Sequence, residues 1–300
     1  MNMLQIIQAA AGELGIPQPS LVVGVKNDDT IQLLALLNGL GGDLQQDYIW
    51  QALSKPYRFS TQFLTVTGTT TANSPVVTGL SATTGLDSTY QVLGVGVDDD
   101  VYVQSVDSAT QVTLDTPAIS SGTVTLNFCK TKYAMPVDYD RMQDRTHWDK
   151  TQRWEMLGPE TAQQWEWLKS GWISTGPRIR WRIMGSYFQT WPPIASAHRM
   201  GFEYIGNGWA LGAGGAPQSA FLKDTDTCVF PDRLMITGLK MRYQQAKGLG
   251  SDFVDQYNRL LTIATGNSNG AATLSMRPSR LNTLIGWDNI PDSGFGNFGN

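Results

Sequence analysis

The chain has 300 residues, 41% apolar and 16% charged, with a formal net charge of −4. That length serves two or three ordinary domains or one long fold, and the acidic balance excludes a nucleic-acid binder that works through overall charge. The two cysteines, Cys129 and Cys228, lie far apart and outside any CxxC, which predicts free, buried thiols in a reducing compartment.

No positive stretch leading into an apolar run opens the sequence, so no secretory leader is expected. No apolar run reaches the roughly 18 residues of a membrane span, so no membrane partner is expected. Leu4, Ile7, Ala11 and Leu14 recur at helical spacing, and Gly15 and Pro17 end that helix. Asn27 or Asp28 is placed to cap a second helix with Ile31, Leu34 and Leu37 to Leu40 on its apolar side. Gly41 and Gly42 are expected to break it. Asp43 then opens a third helix through Leu44, Tyr48 and Ala52, with Trp50 close by. Residues 1–60 therefore read as a helical bundle.

From Thr65 to Phe128 the chain turns to Thr, Ser, Val, Gly and Asp, with almost no Lys or Arg. Val124, Leu126 and Phe128 alternate with Thr123, Thr125 and Asn127, the pattern of a half-buried strand. Short strands about ten residues apart predict a small β-sandwich or barrel over 61–132, inserted in a host fold. Asp98, Asp99 and Asp100 read as a solvated turn, since consecutive carboxylates alone do not surround a calcium ion.

Tyr133 to Leu168 carries Trp148, Trp154, Trp165 and Trp167 among many charges. That composition suits a contact surface or an anchored irregular core. Within it, Glu160 to Ser170 reads as a short helix with Trp165 and Leu168 on one face and Trp167 elsewhere. Arg178, Arg180 and Arg182 then alternate with Ile179, Trp181 and Ile183 as a strand. A row of arginines suits phosphate contact or pairing with the acidic segment Asp138 to Glu155, and the net acidity favours pairing. Met200, Phe202 and Tyr204 mark the expected partner strand, with Trp191, Pro192 and Pro193 as the connection and Gly212 to Pro217 as a loop. Residues 133–225 form a β body on this reading.

Pro231 starts a helix that Gly248 ends, and Ser251 caps another with Val254, Tyr257, Leu261 and Ala264 on its apolar face. These make a helical hairpin over 226–280. Residues 281–300 are glycine-rich and read as an extended tail with Trp287, Phe295 and Phe298 as anchors. The fold class is α+β: an N-terminal helical bundle and C-terminal helix hairpin packed with a β body carrying the small β insert.

Signs of chemistry are sparse. The two histidines, His147 and His198, stand in no zinc-ligand cluster, and no GxSxG, GxxxxGK[ST] or strand-to-helix GxGxxG occurs. His147 reads as a surface or interface residue. Asp138 and Asp140 make a weak hydrolase pair without a pocket. No catalytic, metal or cofactor residue is assigned, and no enzyme activity is expected.

Several stretches resemble the head-to-tail adaptor, or neck, proteins of tailed bacteriophages, especially the tail tubular protein A type. They are ELGIPQPS at Glu13 to Ser20, NDDTIQLLALLNGLGGDLQQDYIWQAL at Asn27 to Leu53, YAMPVDYDRM at Tyr133 to Met142, LGPETAQQWEWLKSG at Leu157 to Gly171 and FPDRLMITGLKMRYQQAKGL at Phe230 to Leu249. TGTTTANSPVVTGLSATTGL resembles the Ig-like or small β inserts of phage virion proteins, an addition that compact adaptors do not need. The resemblance implies a structural virion protein that forms a ring of twelve copies between the portal and the tail nozzle. It is assembled in the host cytoplasm, and DNA is ejected through its lumen without specific binding. The candidate interface residues are then Trp148, Trp154, Trp165, Trp167, Arg178, Arg180, Arg182, Trp287, Phe295 and Phe298, with the tail reaching the portal. The alternative is a tail-associated carbohydrate-binding or glycan-degrading protein, suggested by the β insert and the Trp supply. A DNA-binding module on the three arginines ranks last.

Overall fold

The computed structural model describes residues 1–170, 178–250 and 252–269. In chain order the elements are α1 (Met3–Leu14), α2 (Asp28–Asp47), β1 (Ser54–Ser60), β2 (Phe63–Thr70), β3 (Val76–Val77), β4 (Tyr90–Gly94) and β5 (Val101–Ser108). Then come β6 (Gln111–Leu114), β7 (Gly122–Lys130), β8 (Lys132–Ala134), β9 (Tyr139–Met142), β10 (Trp148–Asp149), β11 (Trp154–Glu155) and α3 (Ala162–Lys169). They continue with β12 (Arg180–Met184), β13 (Tyr187–Trp191), β14 (Arg199–Gly206), β15 (Ala210–Leu211), β16 (Pro217–Gln218), β17 (Thr227–Cys228), α4 (Asp232–Ala246) and α5 (Val254–Asn269). The described chain is mixed α+β, with several antiparallel sheets, one of them nearly closed like a barrel.

Local chemistry sets the helix ends. Asn2 and Gln5 form a capping box on α1, and Gly15, at φ 72, closes it by donating to the Ala11 and Gly12 carbonyls. Asn27 caps α2 by accepting from the Thr30 N–H. The expected break at Gly41 and Gly42 does not occur, and Asp43 opens no third helix. α2 runs unbroken to Asp47, and only a 3-10 turn, Gln51–Leu53, follows. Packing explains this. A Cβ on Gly41 would lie 2.3 Å from the Trp209 ring, so the glycine lets that indole seat against the helix backbone. Burying a large apolar side chain is worth about 2–3 kcal/mol, more than the ~1 kcal/mol a glycine costs a helix interior.

α1 and α2 each contact α4, and α4 contacts α5. Ile6, Ile7, Leu37, Leu40, Leu234 and Leu239 share one cluster with Trp209 and Phe230. Glu13 of α1 accepts from Arg233 and Lys240 of α4, and Asp43 of α2 pairs with Arg242. Pro231 precedes α4 and Gly248 follows it at φ 71, as the sequence predicts. The predicted cap Ser251 lies outside the described residues.

The barrel-like sheet has the order β2-β7-β4-β5-β6-β3, and a bridge between Thr69 and Thr78 brings its two edges together. Its interior, including Val77, Val92, Val112, Leu126 and Phe128, is drawn from this segment alone. β2 and β7 pair from Phe63 opposite Cys129 to Thr70 opposite Gly122, so the chain enters and leaves side by side. Asp98 to Asp100 lie in a turn region, and Asp100 binds Lys169 of α3 at 2.9 Å.

The other strands depart from the predicted pairing. β12 does not pair with β14. It forms a hairpin with β13 across Gly185, at φ 58, and Trp191 belongs to β13 rather than to a connection. β14 instead lies between β1 and β10 in a 5-stranded sheet, with β9 also paired to it. Chain neighbours joined by a glycine turn pair first, and the longer loop carries the chain to the second sheet. Tyr133, Trp181 and Phe188 of one sheet meet Met200, Phe202 and Tyr204 of the other in a single core. The predicted loop after Gly212 is a 3-10 turn, Ala213–Gly215, between β15 and β16.

The two glycines of α2 give opposite predictions. A Cβ on Gly42 meets nothing within 4 Å, so Gly42→Ala should stabilise by about 0.5–1 kcal/mol. Gly41→Ala should destabilise by about 1–3 kcal/mol through overpacking against Trp209. Urea titrations of the two variants check this, and equal responses would refute the packing account.

Candidate interaction face

Alternation along β14 sends Met200, Phe202 and Tyr204 into the core. Arg199, Gly201 and Glu203 therefore take the opposite face. In register across the sheet, Arg58 stands opposite Gly201, Gly201 opposite Trp148, and Trp148 opposite Glu155. Directly opposed residues of antiparallel strands share a face. Gly201 contributes no side chain to this row. A groove of about 570 Å³ opens there, lined by Arg58, Arg145, Trp148, Lys150, Arg153 and Glu203 among others. A second hollow of about 130 Å³ shares Arg58 and Lys150 and adds Arg199.

Arg58, Arg145, Lys150, Arg153 and Arg199 are exposed. Among the described residues none of them makes an ion pair. The nearest buried carboxylate is already engaged. Asp149 accepts from the Thr151 and Gln152 amides at 2.9 and 3.2 Å and meets His198 Nδ1 at 2.6 Å. That arrangement braces the turn after β10, with Arg153 at φ 60, while leaving the cations above it without a partner.

The tryptophans divide. Trp148, Trp154 and Trp167 are 43%, 39% and 56% exposed. Trp165 is 1% exposed and packs with Leu168 and Trp191, so it belongs to the interior of this chain and presents nothing to a partner. α3 begins at Ala162 with Thr161 as its cap, and Trp165 and Leu168 share its buried face as predicted.

The arginine row is not a uniform strip. Arg180 pairs with Glu160 at 2.5 Å, outside the acidic segment Asp138 to Glu155 expected to receive it. Arg178 is exposed and Arg182 half-buried. Asp138 is held by Lys55 and Tyr204, and Asp140 by Arg141. Arg141 also donates to the Gln45 and Tyr48 carbonyls at the end of α2, where a cation suits the helix dipole. Trp287, Phe295, Phe298 and the tail 281–300 lie outside the described residues.

His147 is not at the surface. Its ring stacks 3.9 Å from Trp181, with Phe188 and Phe202 nearby, and burial pushes its pKa down to about 4. Cys129 and Cys228 are free thiols, pushed up to about 11 by burial. Among the described residues no three His, Cys, Asp or Glu side chains group to hold a metal, and no helix is long and apolar enough to cross a membrane. Arg58 and Lys150 of the groove, and Arg199 of the second hollow, escaped the sequence reading. The available signal was Pro56, Arg58 and Ser60 alternating with Tyr57 and Phe59. No protein-family model matches the chain, and no curated protein sequence matches it.

Trp165→Ala should cost about 3–5 kcal/mol, whereas Trp148→Ala should stay within about 0.5 kcal/mol, both read by chemical denaturation. His147 titrates near 6.5 when unfolded and near 4 when folded, so the unfolded state binds its proton more tightly. Its contribution is complete above pH 6.5 and falls as pH drops towards 4. Between pH 7 and 4.5 the chain should lose about 2 kcal/mol that His147→Phe does not lose, measured by urea titration at both pH values.

Proposed function

We propose that this chain is a structural virion protein of a tailed bacteriophage, a head-to-tail adaptor that forms a ring between portal and tail around the DNA channel. The observation that carries the reading is the groove over Gly201, where exposed Arg and Lys, without ion-pair partners among the described residues, surround Trp148 on an acidic chain. Trp and Arg are the residues that dominate protein–protein contacts. The stretches resembling adaptor proteins support it independently. On this reading α1 and α2 with the α4–α5 hairpin form the bundle that packs beside neighbouring copies. The barrel-like sheet is the inserted Ig-like unit, and its paired first and last strands suit an insertion. The tail 281–300 reaches the portal, and DNA passes the lumen without specific contacts.

Glycan binding draws on Trp148 beside a groove. It is the weaker reading, because cations rim that groove and Asp149, one of its carboxylates, is already held by His198 and two amides. The test is light scattering and electron microscopy of the full chain with a purified portal ring. Recruitment into rings on the portal is the expected result. A chain that stays monomeric beside the portal and cleaves or binds polysaccharide would overturn the reading.

A further inference from the structure

We infer that the groove over Gly201 receives the acidic tip of a second copy of this chain, the β4–β5 connection that presents Val95, Asp98 and Asp99. The setting rests on the adaptor reading, but the contact is argued from the two surfaces. Among the described residues, the groove's four cations, Arg58, Arg145, Lys150 and Arg153, face Glu203 as the one lining carboxylate that is not already engaged. Its occupant must therefore be anionic, with an apolar part to meet Trp148 and Pro56.

The tip has both properties. Asp98 and Asp99 are exposed and, among the described residues, form no ion pair. Asp98 accepts the Asp99 N–H at 2.8 Å, which leaves its second oxygen and both of Asp99's free of protein partners among the described residues. Asp100 is different, because its bond to Lys169 anchors the base of the connection on α3. Val95 is 77% exposed and Ile119 63% exposed. The Ile119 N–H donates to the Gly96 carbonyl at 2.8 Å, which holds these two apolar residues on one tip. An exposed valine and isoleucine beside free carboxylates complement a tryptophan beside free arginines.

Tip and groove lie on different sheets of one chain, so their contact joins unlike patches of successive copies. A head-to-tail contact of this kind closes into a ring when the rotation allows, and otherwise extends as a filament. A nucleic-acid strand would answer the cations but leave the tip unexplained.

The experiment is sedimentation velocity of the full chain over a concentration series at low and high salt, beside binding of a fluorescent oligonucleotide. Expected is self-association that high salt weakens. Arg145→Glu with Arg153→Glu, and separately Asp98→Lys with Asp99→Lys, should each weaken it at least tenfold. Mixing the two reversed variants should restore it, which also shows that both are folded. Three results would overturn the inference. They are a wild-type chain that never associates, association indifferent to both reversals, and oligonucleotide binding lost in the groove variant while the tip variant self-associates normally. The last would make nucleic acid the occupant. If the groove variant still forms rings on the portal, this contact falls and the adaptor reading stands. If the wild type ignores the portal, the adaptor reading falls while the charge-reversal result still judges the contact.

Discussion

Two sheets are held together by a stack of rings. His147 lies 3.9 Å from Trp181, Trp181 5.4 Å from Phe188, and Phe188 4.9 Å from Phe202. One member of this stack is an imidazole, and a buried imidazole is tolerable only when neutral. The same stack fixes the outer surface. With Phe202 inside, the two-residue period of β14 commits Arg199, Gly201 and Glu203 to the other face, and with His147 inside, Trp148 is turned outwards. Slipping β14 by one residue would bury two charges and expose the core. This exposed face is thus a consequence of the core rather than a separate design.

Glycine has two uses in this chain that composition alone does not separate. Gly41 sits in a helix because Trp209 needs the space its missing side chain leaves. Gly201 sits in a strand where a Cβ would lie 3.1 Å from the Tyr57 carbonyl and 3.2 Å from Lys150 Cε, so the groove floor closes over the space a side chain would take. The sequence alone reads Gly41 as a helix breaker. The distinction lies in what approaches the glycine from elsewhere in the chain, which a local pattern does not contain.

Features written within a few residues were legible: the Gly15 and Gly248 helix ends, the Asn27 cap, and the Val124 to Phe128 alternation that fills the barrel-like sheet. The two faces of α3 were legible too, since i and i+3 fix Trp165 and Leu168 together. Partner choice between distant segments was not. Two strands with equally good alternation, 178–183 and 199–204, were matched to each other, whereas a two-residue turn at Gly185 gave β12 a nearer partner. Arg180 found Glu160 rather than an acid of 138–155 for the same reason, since Leu157 lies alongside Arg180 and brings the following residues with it. His147 reads as a surface residue because Asp144, Arg145, Asp149 and Lys150 surround it in sequence, whereas distant segments supply the Trp181, Phe188 and Phe202 rings that bury it.

The net charge of −4 describes the chain poorly, because charge is segregated upon it. Carboxylates already paired within the chain, such as Glu13, Asp43 and Asp138, cancel locally. Among the charges that reach solvent are a cationic groove on one sheet and an acidic tip on another. In an assembly that joins groove to tip, the cations are quenched between copies. The surface left over is then more acidic than that of the isolated chain. A DNA backbone meeting such a surface is repelled along its length and finds no row of arginines to hold it, since Arg180 is already bound to Glu160. On the adaptor reading proposed above, association and free passage do not compete for the same charges, because a groove-to-tip contact also covers the cations that would retard the DNA.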